Sequence, residues 1–122
     1  MDKKFGIKTS GEKQEFGTGA HRDSQDGKGR FDLIPLDALM RVAKHYENGG
    51  KVYGDNNWKN GIPLARFLDS AMRHIVKMMA DMEDEDHAAA ACWNLMCFMW
   101  TKKAIKDGAL PNDLDNLPKE NI

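Results

Sequence analysis

The sequence predicts an all-α protein, and three observations carry that reading. Leu36, Leu39, Met40, Val42 and Ala43 recur at helical spacing. So do Leu64, Phe67, Leu68, Ala71, Met72, Ile75, Met79 and Met82, which form one broad apolar stripe. The stretch from Ala88 to Trp100 is almost wholly apolar, with Asn94 as its one strongly polar residue. No segment alternates apolar and polar residues with the period of two that a half-buried strand requires.

The elements follow in order. Residues 1–30 hold six of the eleven glycines and few large apolar side chains, so they read as an arm that cannot build a core alone. Order is expected from Arg30-Phe31-Asp32-Leu33-Ile34-Pro35, where Pro35 suits the first position of a helix. Gly49-Gly50 should stop that helix. The segment Lys51 to Gly61, KVYGDNNWKNG, reads as a loop carrying two aromatic residues. Pro63 should open a second helix reaching Met82, with Arg66, Asp69, Arg73 and Lys77 opposite its apolar stripe. A third helix is expected from about Asp84 to Lys106, ended by Gly108 and Pro111. The expected organisation is therefore a flexible arm (1–22), an all-α domain (23–107) and a tail (108–122).

Length and composition limit what such a chain can be. A chain of 122 residues suits one domain with a modest core. A net charge of −1 and a pI near 6.4 give no bulk drive toward nucleic acid or a membrane surface. The apolar run at 88–100 is shorter than the roughly 20 residues needed to span a bilayer. No basic-then-apolar leader follows Met1, so a cytoplasmic location is expected. Cys92 and Cys97 lie five apart and point different ways on a helix, which predicts buried free thiols rather than a disulfide. A third helix apolar on nearly every side needs more cover than two sister helices give, so a homo-oligomer, dimer or tetramer, is expected, with this helix near the interface.

The residues with chemical potential concentrate at the junction of the second and third helices. Asp81-Met-Glu83-Asp84-Glu85-Asp86-His87 places five carboxylates and an imidazole within seven residues. Oxygen donors at that density suit Mg²⁺ or Mn²⁺, yet acidic residues also favour the first turn of a helix. Spacing alone leaves a solvated cap and a metal site both open. His87, Asn94 and Thr101 recur every seven residues as a thin polar line. A buried Asn94 needs a partner, either structural or functional, since an unsatisfied amide costs about 1–3 kcal/mol. Asp69 and Arg73 sit one turn apart and could form a plain surface ion pair; His74 lies nearer the apolar stripe. Lys51, Tyr53, Asn57 and Trp58 offer a cation, an amide and two aromatic faces, a set able to stack a base or simply to pin the loop to the core. Asp26-Gly-Lys-Gly-Arg30 looks like a phosphate cradle but lacks the GxxxxGK[ST] pattern of a P-loop.

Taken in order, these motifs resemble the small phage dATP/dGTP diphosphohydrolase family, related to the MazG-like all-α nucleotide pyrophosphatases. The resemblance covers roughly residues 23–100. Asp26, Gly27, Lys28 and Arg30 match its Asp-Gly-Lys-x-Arg. Lys51, Tyr53, Gly54, Asn57 and Trp58 match Lys-Tyr-Gly-x-x-Asn-Trp, with one residue inserted after the lysine. Asp69, Arg73 and His74 match Asp-x-x-x-Arg-His; His87 and Asn94 match the ends of a His-x-x-His motif with its following Asn. The second histidine of that motif is Ala90 here, and the MazG-like ExxE pair is absent from the second helix, which carries Asp69 instead.

The resemblance implies an all-α nucleotide pyrophosphatase, completed by oligomerisation, that cleaves dGTP or dATP to the monophosphate and pyrophosphate with Mg²⁺ or Mn²⁺. It points to Asp69 as a metal ligand, and Glu83, Glu85 and Asp86 of the acidic run are the candidate ligands in place of the missing carboxylates; Asp69, Glu83, Glu85 and His87 are the catalytic candidates. Arg30, Lys51, Tyr53, Asn57, Trp58, Arg73, His74 and Asn94 are its substrate-binding candidates. A role in phage nucleotide pools, including synthesis of 2-aminoadenine genomes, is likewise implied by the family. Two other readings stand beside it: a nucleotide-binding or regulatory helical oligomer that has lost catalytic groups, as Ala90 suggests, and a structural oligomer with a solvated acidic loop.

Overall fold

The computed structural model describes residues 6–122, and the chain divides into two compact units with its boundary between Ile34 and Pro35. Residues 1–5 of the expected arm lie outside the described residues.

Part of the remaining arm is ordered, contrary to the irregular segment its composition predicts. Lys13–Glu15 (β1) and His21–Asp23 (β2) form an antiparallel ribbon. Its register sets Lys13 opposite Asp23, Gln14 opposite Arg22 and Glu15 opposite His21, and facing opposite charges favour such a pair. These strands are three residues long and mostly exposed, so they carry no apolar alternation to read. The Ser10 backbone N–H donates to Asp23 at 2.9 Å, and Lys28 Nζ donates to the same carboxylate at 2.7 Å. These contacts hold the Asp23 carboxyl down to about 2. The Asp26-to-Arg30 stretch is thus a turn fastened to β2 through Lys28, with Gly27 and Gly29 at positive φ.

Among its described residues the second unit has three α-helices: α1, Leu36–Tyr53; α2, Leu64–Met79; and α3, His87–Lys106. Both α1 and α2 pack on α3. The small core takes Val42 from α1, Leu64, Phe67 and Ala71 from α2, and Ala89, Ala90, Ala91, Cys97, Ala104 and Ile105 from α3. The alanines let the helices approach closely. Ala90, at the position of the missing histidine, is among the buried residues.

Three boundaries differ from the sequence reading, each for a local reason. Helix α1 does not stop at Gly49-Gly50 but continues to Tyr53, and ends where Gly54, at φ 91°, returns its N–H to the Gly50 carbonyl at 2.9 Å. Gly50 serves contact rather than termination, because a Cβ there would collide with the Asp55 carboxylate. Lys51 and Tyr53 accordingly sit on the helix, not in the loop.

Helix α2 ends at Met79, three residues early. Asp81 takes the left-handed conformation at φ 56°, and the N–H groups of Asp81 and Met82 reach back to Met78 and Lys77, both at 3.0 Å. This is the two-bond helix ending usually built on glycine, made here with aspartate. Helix α3 begins at His87 instead of Asp84, with Asp86 as its N-cap accepting from the Ala89 N–H at 3.1 Å. Its other end closes in the same two-bond way at Gly108. The tail, expected as loop, adds a short 3₁₀ turn at Asn112–Leu114, and Asn116 Oδ1 accepts the Ala65 N–H at the start of α2.

The apolar stripe of α2 is only partly covered. Leu64, Phe67 and Ala71 are buried, but Met72, Val76 and Met79 are 66%, 62% and 83% exposed. Cys97 is buried and Cys92, expected to be buried, faces outward; both are free thiols. Burial pushes the Cys97 thiol up to about 11. No helix among the described residues is long and apolar enough to cross a membrane.

Candidate active site

The last turns of α1, the following loop and α3 enclose an aromatic cleft of about 470 Å³. Tyr46, Glu47, Tyr53, Asp55, Asn57, Trp58 and Trp93 are among the residues that line it. Its walls are braced by ring contacts. Tyr46 meets Trp58 at 6.2 Å and Trp93 at 6.0 Å edge-on, and Trp58 meets Trp100 at 5.2 Å, nearly perpendicular. Lys59 Nζ lies 5.4 Å and 5.5 Å from the Trp58 and Trp100 ring centres. Trp58 therefore pins the loop against α3 and also walls the cleft. Tyr53, Asn57 and Trp58 come together there. Lys51 instead faces outward, 3.3 Å from Glu47 in an exposed ion pair.

A second depression, of about 560 Å³, runs along α1 toward the start of α3. Arg41, Lys44, His45, Asn48, Glu85, Asp86 and Ala89 line it. Arg41, His45 and Asn48 fall at i, i+4 and i+7 on one face of α1, a polar spacing visible in the sequence but masked by the apolar stripe beside it. His45 joins the two depressions: its ring lies 5.4 Å from that of Trp93, a cleft wall. Arg41 donates to Asp86 through Nε and Nη2 at 2.8 and 2.7 Å, tying α1 to the cap of α3. That guanidinium holds the Asp86 carboxyl at about 2.

The α2–α3 junction carries the densest polar cluster. His74 Nδ1 and His87 Nδ1 are 2.9 Å apart, and His87 Nε2 lies 2.7 Å from Asp84 Oδ1. His87 is 2% exposed. The Asp84 carboxylate accepts from His87 Nε2, which orients the ring so that Nδ1 faces His74. The same contact lowers the Asp84 pKa, while burial lowers that of His74 and favours its neutral ring. Among the described residues, His74, Glu85 and His87 offer ligand atoms that all lie within 4.8 Å of one another.

The structure thus brings together part of the set expected from the sequence. Glu85 joins the cluster, and Glu83 lies exposed at a shallow depression shared with Glu85, Asp86 and His87. Asp86 is engaged by Arg41. Asp69 is paired with Arg73 one turn along α2, and both are exposed. Arg30 pairs with Asp32 at 2.8 Å within the first unit. Asn94, 4% exposed, donates to the Ala90 carbonyl of its own helix at 2.8 Å; the partner it needs is local. Its neighbour in the polar line, Thr101, is fully buried, and its hydroxyl has no hydrogen-bond partner among the described residues. Sequence reasoning missed Arg41, Lys44, His45, Tyr46 and Trp93, whose roles depend on α1 lying against α3.

A helical unit that sets aromatic faces beside a cationic helix face, with carboxylate and imidazole donors at its end, has the chemistry of a nucleotide-handling protein. The sequence model described as dATP/dGTP diphosphohydrolase, N-terminal, matches residues 18–109, and the chain belongs to that family. Its activity is accordingly that of a dATP/dGTP diphosphohydrolase. No curated protein and no solved structure matches the chain.

Proposed function

We propose that the protein uses a divalent cation, Mg²⁺ or Mn²⁺, to hydrolyse dGTP or dATP to the monophosphate and pyrophosphate. The observation that carries this reading is the position of His45. Its ring packs on Trp93, a wall of the aromatic cleft, and it lines the depression that holds Arg41, Lys44 and Glu85. A purine stacked among Tyr53, Trp58 and Trp93 would leave its phosphates along the cationic face of α1.

The donor set at the junction fits a cation, with Glu85 as its carboxylate and His74 and His87 beside it. When bound, such a cation neutralises phosphate charge and acidifies water. The Glu83 carboxylate, exposed at the shallow depression that it shares with Glu85 and His87, accepts the proton of the attacking water. Attack at the α-phosphorus breaks its bond to the oxygen bridging to the β-phosphorus. Arg41 and Lys44 stabilise the charge that collects on the departing pyrophosphate. A role in phage nucleotide pools, including those of 2-aminoadenine genomes, is the biological setting of this reading.

The exposed Met72, Val76 and Met79 support self-association as a dimer or tetramer through α2. The direct test is a panel of dNTPs with products separated. Pyrophosphate and the monophosphate should appear from dGTP or dATP and vanish with chelator; release of orthophosphate alone, or no turnover, would overturn the reading.

A further inference from the structure

We infer that His74, Glu85 and His87 form a two-imidazole, one-carboxylate site selective for a first-row transition cation such as Mn²⁺, Fe²⁺ or Co²⁺ over Mg²⁺. Three features carry this. The first is the donor set: three ligand atoms within 4.8 Å of one another, two of them imidazole nitrogens. Mg²⁺ favours oxygen and keeps its waters, whereas imidazole suits Fe²⁺ and the later metals of the row, and Mn²⁺, at the foot of that series, accepts it beside oxygen donors more readily than Mg²⁺ does.

The second is the orienting contact behind the site. Asp84 accepts from His87 Nε2 at 2.7 Å, so that the buried ring presents the Nδ1 lone pair inward. A carboxylate behind the non-ligating nitrogen is the usual support of a metal-bound histidine. The third is spacing. The two Nδ1 atoms are 2.9 Å apart, and two bonds of about 2.1 Å reaching across that gap meet at about 90°, the angle of neighbouring octahedral positions. Three protein donors would leave the remaining positions of a six-coordinate cation open to phosphate oxygens and water. Asp86 and Asp69, engaged by Arg41 and Arg73, do not complete an all-oxygen shell.

The inference rests on reading the α2–α3 junction as the cation site, not on which nucleotide is cleaved. The test is calorimetric titration of the nucleotide-free full chain with Mn²⁺ and Mg²⁺, alongside visible absorption during Co²⁺ titration. Native protein should bind Mn²⁺ at least about tenfold tighter than Mg²⁺ and develop Co²⁺ ligand-field bands. The half-exposed His74 provides the variant least disruptive to folding. His74→Ala, checked by circular dichroism, should lose about tenfold or more in Mn²⁺ affinity and lose the Co²⁺ bands, while Mg²⁺ affinity changes little.

Equal Mn²⁺ and Mg²⁺ affinity in the native protein would overturn the inference, as would an unchanged Mn²⁺ affinity in a folded His74→Ala. Turnover of dNTPs by a native protein with no Mn²⁺ preference would leave the proposed hydrolysis standing and remove this site. A preferred Mn²⁺ site with no turnover of any dNTP would do the reverse.

Discussion

The aromatic cleft and the α2–α3 junction are built on opposite physical terms. The cleft is held by ring-on-ring packing among Tyr46, Trp58, Trp93 and Trp100, so the residues that shape it also stabilise the helix pairing. The junction is held by charge and hydrogen bonding at Asp84, Asp86, His74 and His87, and its Glu83 and Glu85 are exposed. Altering the cleft should therefore disturb folding and binding together. Altering an exposed carboxylate of the junction should disturb chemistry alone.

Variants can break or sharpen this contrast. The largest effect is expected from Glu85→Gln, a loss on the order of 100-fold or more in kcat, with Tm and dGTP affinity near native. A comparable fall in Tm would mean that Glu85 is structural. Trp58→Ala should both raise KM and lower stability by about 2 kcal/mol, scaled down from a fully buried tryptophan because Trp58 is half-buried; urea unfolding and steady-state kinetics read the two halves separately. Tyr53→Ala removes an exposed cleft wall and should raise KM about tenfold with no change in Tm.

Smaller still is Asp81→Gly, which relieves a left-handed aspartate and should raise stability by about 0.5 kcal/mol; a drop would show that the Asp81 side chain has a role of its own. In the first unit, the Asp23 carboxyl is held at about 2 against an ordinary 3.8. Its contribution is full above pH 3.8 and is lost as pH falls through about 2. The Ser10 amide resonance should shift across that window and stay constant from pH 5 to 8.

The same contrast explains what could be read in advance. Helical spacing marked α1 and α2 and a nearly unbroken apolar run marked α3, although several of those apolar positions, Met40 and Met72 among them, are exposed. The motif Tyr53-Gly54-x-x-Asn57-Trp58 was visible because all its cleft residues are close in sequence. The junction was legible as an acidic run, yet its inner arrangement was not. Arg41 reaches Asp86 across 45 residues, and no local pattern announces that pairing. Asp86, expected among the metal ligands, is spoken for by that guanidinium and by the α3 cap.

Asn94 needed a partner, structural or functional, because an amide on an apolar helix must be satisfied; back-bonding to the Ala90 carbonyl supplies one without leaving a sequence trace. The glycine rule misplaced the end of α1, since Gly50 makes room for Asp55, and it offered nothing for α2, where an aspartate does the work of a glycine.

The division between a binding cleft and a reactive junction is most directly tested by titrating the tryptophan fluorescence of Glu85→Gln with dGTP. Trp58 and Trp93 wall the cleft, so the account predicts saturable quenching with a Kd within about threefold of that of the native protein measured before turnover. Fluorescence unchanged at dGTP concentrations that saturate the native enzyme would contradict it.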